Sequence, residues 1–100
     1  MDIEEYQESS RDSVYDPIEY ADTLCYTALA LCGKAGGYAN VVKKGVQDPP
    51  SLAAAVEDLG DVLFYWVRSC EALGISPIVV MLANLNKLDK LKVERAGRRN

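Results

Sequence analysis

Histidine is missing from this 100-residue chain, and that absence removes whole classes of chemistry. No Ser-His-Asp or Cys-His nucleophile can be assembled, no His-x-x-x-His zinc helix exists, and no imidazole changes charge near neutrality. Cysteine is scarce. Cys25, Cys32 and Cys70 are odd in number and contain no Cys-x-x-Cys pair, which argues against a disulfide framework and against a zinc knuckle. They are expected as small buried hydrophobes in a reducing compartment. No apolar run approaches the ~20 residues that span a bilayer. The opening Met1-Asp2-Ile3-Glu4-Glu5 lacks the basic-then-apolar character of an export signal, so a cytoplasmic location is expected.

What is present describes a folded domain. Hydrophobic residues make up 49%, charged residues 26%, and the net charge of −4 is too small for intrinsic disorder. One domain over 1–100 is expected, with little stability margin at this size, so burial of further surface in an oligomer is consistent with the length. Charge is uneven along the chain. Residues 1–22 hold eight acids against Arg11, a net of −7, and residues 87–99 hold six bases against Asp89 and Glu94, a net of +4. With a low pI and no aromatics among the bases, the basic end is a poor nucleic-acid signal, and no nucleic-acid polymer or membrane is expected as a partner.

The punctuation predicts helices. Residues 1–15 form an acidic N-terminal segment. Asp16-Pro17-Ile18-Glu19 supplies an N-cap, a proline at the first helical position and a glutamate three residues after the cap. From there Leu24, Ala28, Leu31, Ala35, Tyr38 and Val42 step by fours and threes toward a stop at Gly45. Pro49-Pro50 enforces a turn. Leu52, Val56, Leu59, Leu63, Trp66, Cys70 and Leu73 then form an unbroken 4-3 stripe ended by Gly74. Ser76-Pro77 opens a last helix with Ile78, Met81, Leu82, Leu85 and Leu88 on its inner face, and residues 96–100 read as a frayed basic tail. No segment alternates with period two. The expectation is an all-α antiparallel four-helix bundle.

Three groups of residues carry possible chemistry. Gly33-Lys34 is not a phosphate loop, because Ala28 and Ala35 stand where that loop needs glycine and Ser or Thr. Glu57, Asp58 and Asp61 are neighbours on one helix, where like charges repel unless a cation intervenes. A solvated acidic face is the alternative. Three glycines among Gly33-Lys34-Ala35-Gly36-Gly37 weaken a helix by about 2–3 kcal/mol relative to alanine, and imply either close approach of a neighbour or a break. Asn84 and Lys87 form a polar pair on the last helix, suited to a phosphate or ribose or to an exposed edge. Tyr65 and Trp66, like Tyr20 and Tyr38, can stack on a base or pack in a core.

The run Leu29-Ala30-Leu31-Cys32-Gly33-Lys34-Ala35-Gly36-Gly37-Tyr38, then Val42-Lys43-Lys44, Glu57-Asp58-Leu59-Gly60-Asp61-Val62-Leu63-Phe64-Tyr65 and Asn84-Leu85-Asn86-Lys87-Leu88, resembles the MazG-like all-α nucleoside triphosphate pyrophosphohydrolases over roughly Tyr6 to Arg95. The resemblance implies Mg²⁺-dependent hydrolysis of nucleoside or deoxynucleoside triphosphates to monophosphate and pyrophosphate, in a homodimer or homotetramer. It places catalytic metal ligands at Asp58 and Asp61, and substrate contacts at Lys43, Lys44, Asn84 and Lys87. Phe64 stands where the family commonly has tryptophan. The other two ligand positions, glutamates in the family, are Lys34 and Gly37 here. Each lost ligand removes several kcal/mol of transition-state stabilisation. The expectation is weakly held Mg²⁺ and impaired or lost catalysis. The alternative is a non-catalytic nucleotide-binding or helical interaction and oligomerisation module on the same scaffold.

Overall fold

A computed structural model describes residues 1–13, 20–45 and 51–98, and for 13 and 20–22 the backbone alone. The protein is all-α: among the described residues there is no strand. Helix α1 spans Ile3–Ser10, followed by a 3-10 turn at Arg11–Ser13. Helix α2 spans Tyr20–Lys44, α3 Leu52–Ala72 and α4 Pro77–Arg98. Asp2 caps α1 by accepting from the Glu5 amide at 2.8 Å, and Glu4 and Glu5 in the first turn complement the positive end of the helix. Ser51 caps α3 through the Ala54 amide at 3.2 Å. The cap expected at Asp16-Pro17 lies outside the described residues.

The glycine-rich stretch does not break α2, which runs unbroken through residues 33–37. Gly45 follows it without a left-handed turn, since Gly74 alone among the described residues has positive φ, at 71°. At Gly74 the chain closes α3 with two bonds, Gly74 N–H to Glu71 O and Ile75 N–H to Cys70 O, both 3.0 Å. That pairing satisfies two carbonyls of the last turn and requires a residue that tolerates positive φ. Helix α4 then departs at 105° to α3 and remains helical through 96–98, residues expected in a frayed tail.

Helices α2 and α3 form an antiparallel hairpin, the main packing of the chain. Buried residues gather on the C-terminal half of α3: Val67, Cys70 and Ala72, with Arg68, and with Thr27 of α2 and Pro77 at the head of α4. Helix α1 is tied to that end. The Arg68 guanidinium donates through Nη2 to the Gln7 carbonyl and to Ser10 Oγ, each at 3.0 Å, and Gln7 Nε2 donates to Glu71 Oε1 at 3.1 Å.

The heptad-like seams are buried only in part: Cys70 is in the core and Leu24, Leu31, Trp66 and Ile78 are half-buried, but the rest lies open. On α3, Leu52, Val56, Leu59 and Leu63 are exposed, and on α2 so are Ala28, Ala35, Tyr38 and Val42. Met81, Leu82, Leu85 and Leu88 of α4, expected to face inward, are likewise exposed. The physical reason is a rotation. On α2, Gly37 and polar Lys34 meet Asp58 and Asp61 of α3, and Tyr26 meets Tyr65. The cysteine expectation is also corrected: Cys70 is buried, but Cys25 and Cys32 are exposed. They lie on the side of α2 turned away from α3.

Candidate functional site between the second and third helices

Because α2 and α3 run antiparallel, positions three residues apart on one helix meet positions three apart on the other in reverse order. Lys34 meets Asp61 and Gly37 meets Asp58. The Lys34 ammonium Nζ lies 3.3 Å from Asp61 Oδ2, with the two side chains 44% and 48% exposed. A Cβ built on Gly37 would stand 3.7 Å from Cγ and from both carboxylate oxygens of Asp58, an ordinary contact. Gly37 is therefore the position where the backbone of α2 approaches a carboxylate of α3. Gly33 and Gly36 have nothing within 4 Å and carry no such reason. Asp58 and Asp61 border the groove between the helices, with the Asp61 side chain still 48% exposed and Glu57 exposed beside them.

An aromatic cluster borders the groove one turn beyond Asp61. Tyr65 meets Tyr26 of α2 edge-on, centroids 6.2 Å apart, and Phe64 at 5.1 Å. The Arg68 guanidinium carbon sits 5.2 Å over the Phe64 ring. The Tyr65 phenol is pushed above its ordinary 10.0, first by its hydrogen bond with Tyr26, then by burial and by the charge of Asp61. Tyr6, on α1, is raised by burial and, more weakly, by Asp61, against the opposing influence of Arg68. Asp61 is thus felt by a phenol of its own helix and by one from α1.

The remaining positions named from the sequence lie elsewhere. Lys43 and Lys44 are exposed on the last turn of α2, about 14 and 15 Å along the axis from Lys34 at 1.5 Å per residue. Asn84 and Lys87 are exposed on α4, and among the described residues no hydrogen bond or ion pair joins them to Asp58 or Asp61. Trp66 is half-buried and, among the described residues, belongs to no ring pair. Tyr65 is at the site and Trp66 is not in its aromatic cluster. Tyr6, Tyr26 and Arg68 were not singled out from the sequence. Tyr65 was legible through its i+4 offset from Asp61, but the approach of Tyr6 and Arg68 depends on where α1 docks, which no local pattern encodes.

The residues present do not fit a centre of two or three magnesium ions. Gly37 offers no ligand to accompany Asp58, and an ammonium stands against Asp61 where a cation would bind. Among the described residues no three His, Cys, Asp or Glu side chains converge as a metal site.

The Gene 37 protein of Mycobacterium phage L5 is similar to this chain. It is 29% identical over 102 residues, an alignment covering 92% of this chain and 90% of that protein. The likeness concerns the whole helical unit rather than one motif. No family model and no solved structure matches the chain.

Proposed function

We propose that this chain is a nucleotide-binding protein on a MazG-like scaffold in which pyrophosphohydrolysis is impaired or lost. The observation that carries the reading is the pairing of positions across the groove. Residues 34 and 37 of α2 oppose Asp61 and Asp58 of α3 in the register expected of a four-carboxylate cage, but a lysine and a glycine occupy the α2 half. The ammonium neutralises Asp61 internally, and the position that would hold a second α2 carboxylate is bare. No step through a metal is derived for this site.

The chain's own groups suit binding better than turnover. Lys34 is half exposed and can exchange a carboxylate partner for a phosphate oxygen, since an ammonium is a point charge with three donors. Tyr26 and Tyr65 present aromatic surface beside the groove for a base.

The test is titration calorimetry with a panel of nucleoside and deoxynucleoside triphosphates, alongside pyrophosphate release with Mg²⁺ or Mn²⁺. The expected result is binding without appreciable release by the unaltered chain, weakened at least tenfold by Lys34→Ala. Metal-dependent release is expected to appear in the double variant Lys34→Glu, Gly37→Glu. Rapid turnover by the unaltered chain, abolished by Asp61→Asn, would overturn the loss of catalysis. Failure of both proteins to bind any nucleotide would overturn the reading as a whole.

A further inference from the structure

Helix α1 carries no buried residue, and its 8 residues are too few to stay helical in water without a partner. Its hold on α3 is polar and converges on Arg68 and Glu71. Arg68 Nη2 donates to the Gln7 carbonyl and to Ser10 Oγ, while Glu71 Oε1 accepts from Gln7 Nε2 and, at 3.4 Å, from Arg11 Nη2. Under this contact Arg68 is 5% exposed. Among the described residues its Nε and Nη1 are buried without a hydrogen-bond partner. The closed contact therefore keeps two guanidinium nitrogens from water without replacing their hydrogen bonds, a cost that hydration removes once α1 lifts. Arg68 shares one face of α3 with Asp61, about 10 Å farther along the axis. Tyr6 of α1 feels both side chains: burial raises its phenol, Arg68 lowers it and Asp61 raises it. The C-terminal half of α1 is thus laid over the end of the stripe that leads from Asp61 to Arg68.

We propose that α1 is a releasable strap: it lifts from α3 while the α2–α3 hairpin stays folded, and in its closed position it masks Arg68. A segment held by polar contacts, with no buried apolar anchor, opens at lower free energy than the part of α3 that carries Val67, Cys70 and Ala72. Gln7, Ser10 and Arg11 engage Arg68 and Glu71 together, so the strap has one defined closed position. Opening uncovers a guanidinium that stacks on Phe64, whose ring in turn meets Tyr65 at the edge of the groove. That cation is available beside the groove only when the strap is off. An anionic ligand in the groove then favours the open state through its differential affinity for the two positions of α1. The strap itself does not depend on what the groove binds; the ligand effect alone rests on the nucleotide-binding reading.

The test is hydrogen exchange of the full chain read by mass spectrometry, together with phenylglyoxal labelling of Arg68. In the unaltered chain the amides of residues 6–11 are expected to exchange about a hundredfold faster than those of residues 67–72. Arg68 is expected to label about tenfold more slowly than exposed Arg95. Gln7→Pro breaks α1 at its middle and is expected to bring Arg68 to the labelling rate of Arg95 while α3 keeps its exchange protection. Gln7→Ala with Ser10→Ala keeps α1 a good helix former but removes the Glu71 bond and one acceptor of Arg68, and is expected to give a smaller rise. Amides of 6–11 that exchange as slowly as 67–72, or an Arg68 still masked in Gln7→Pro, overturn the proposal. So does loss of protection throughout α3 in both variants, which would make α1 part of the cooperative core. Calorimetry with a nucleoside triphosphate reads the ligand effect, with binding about threefold tighter in Gln7→Pro expected. Equal or weaker binding refutes the coupling of strap to groove. Absence of binding by both proteins refutes the nucleotide reading, while exchange and labelling still decide the strap.

Discussion

Restoring carboxylates to the α2 half of the groove gives a result with a calculable sign. In Lys34→Glu, Gly37→Glu, the ion pair at 3.3 Å disappears. Both its members are nearly half exposed, so its loss costs only about 0.2–1 kcal/mol. The new glutamate at 37 grows from a Cβ 3.7 Å from the Asp58 carboxylate, without steric conflict, and the one at 34 opposes Asp61. Each like-charge contact near 4 Å costs about 1 kcal/mol in a water-like dielectric. Replacing a helical glycine returns about 0.5 kcal/mol of backbone preference. The net is a destabilisation of about 2 kcal/mol, a fall in melting temperature of roughly 8–16 °C for a domain of this length.

A divalent cation should reverse that loss and do nothing for the unaltered chain. Binding to the folded state alone adds RT ln(1 + [L]/Kd), about 1.4 kcal/mol at a tenfold excess over Kd. Scanning fluorimetry with Mg²⁺ or Mn²⁺ from 0.1 to about 10 mM reads this directly, with Ca²⁺ and matched monovalent ionic strength as controls. The expected result is a melting temperature in the double variant that climbs by several degrees with Mg²⁺ or Mn²⁺, and a flat response in the unaltered chain. If the double variant is as stable as the unaltered chain without metal, the four positions do not converge. If it is destabilised but indifferent to every divalent ion, they converge without forming a cage. Either outcome refutes the reasoning.

Other expectations concern the frame around the site. Arg68→Ala removes a buried guanidinium that donates to Gln7 and Ser10 and stacks on Phe64. A loss of about 3–5 kcal/mol is expected by urea unfolding; Arg68→Met should lose less, because Arg68 Nε and Nη1 have no partner to forfeit. Gly74→Ala should cost about 1 kcal/mol for its φ of 71°, whereas Gly60→Ala, in mid-helix with open space around it, should add about 1 kcal/mol. Cys25 and Cys32 should react quickly with a thiol reagent in the folded protein and Cys70 only on unfolding. Burial raises the Cys70 thiol above its ordinary 9.0, so the stability held by its neutral form is complete below 9.0 and is lost as pH rises from there through the raised folded-state value. Unfolding free energies between pH 8 and 10.5 should therefore fall more steeply for the unaltered chain than for Cys70→Ala.

Much of the helical frame was legible because it rests on local chemistry. Ser51, Gly74 and Ser76-Pro77 act through hydrogen bonds and dihedral limits within a few residues, and they place the ends of α3 and the start of α4 where the structure has them. The glycines at 33, 36 and 37 were legible as unusual, but not as two different cases. Only Gly37 meets another helix, a fact that depends on how α2 is rotated against α3. That Asp58 and Asp61 share a face follows from a three-residue offset. Which face of α3 turns toward α2 does not.

Periodicity reports that a stripe is destined for burial but not which molecule buries it. The stripe from Leu52 to Leu63 is regular enough to demand an apolar neighbour, and the natural assumption is that the neighbour belongs to the same chain. The hairpin instead closes on small and polar residues, where Gly37 lets the backbone of α2 come near Asp58 and Lys34 reaches Asp61. In this arrangement Leu52, Val56, Leu59 and Leu63 stay exposed. The site and the seams are consequences of a single choice of helix rotation: turning α3 by nearly half a turn to bury the leucines within one chain would carry Asp61 away from Lys34. A chain whose leucine seams proved buried within the monomer would on that geometry have no groove between Lys34 and the aspartates.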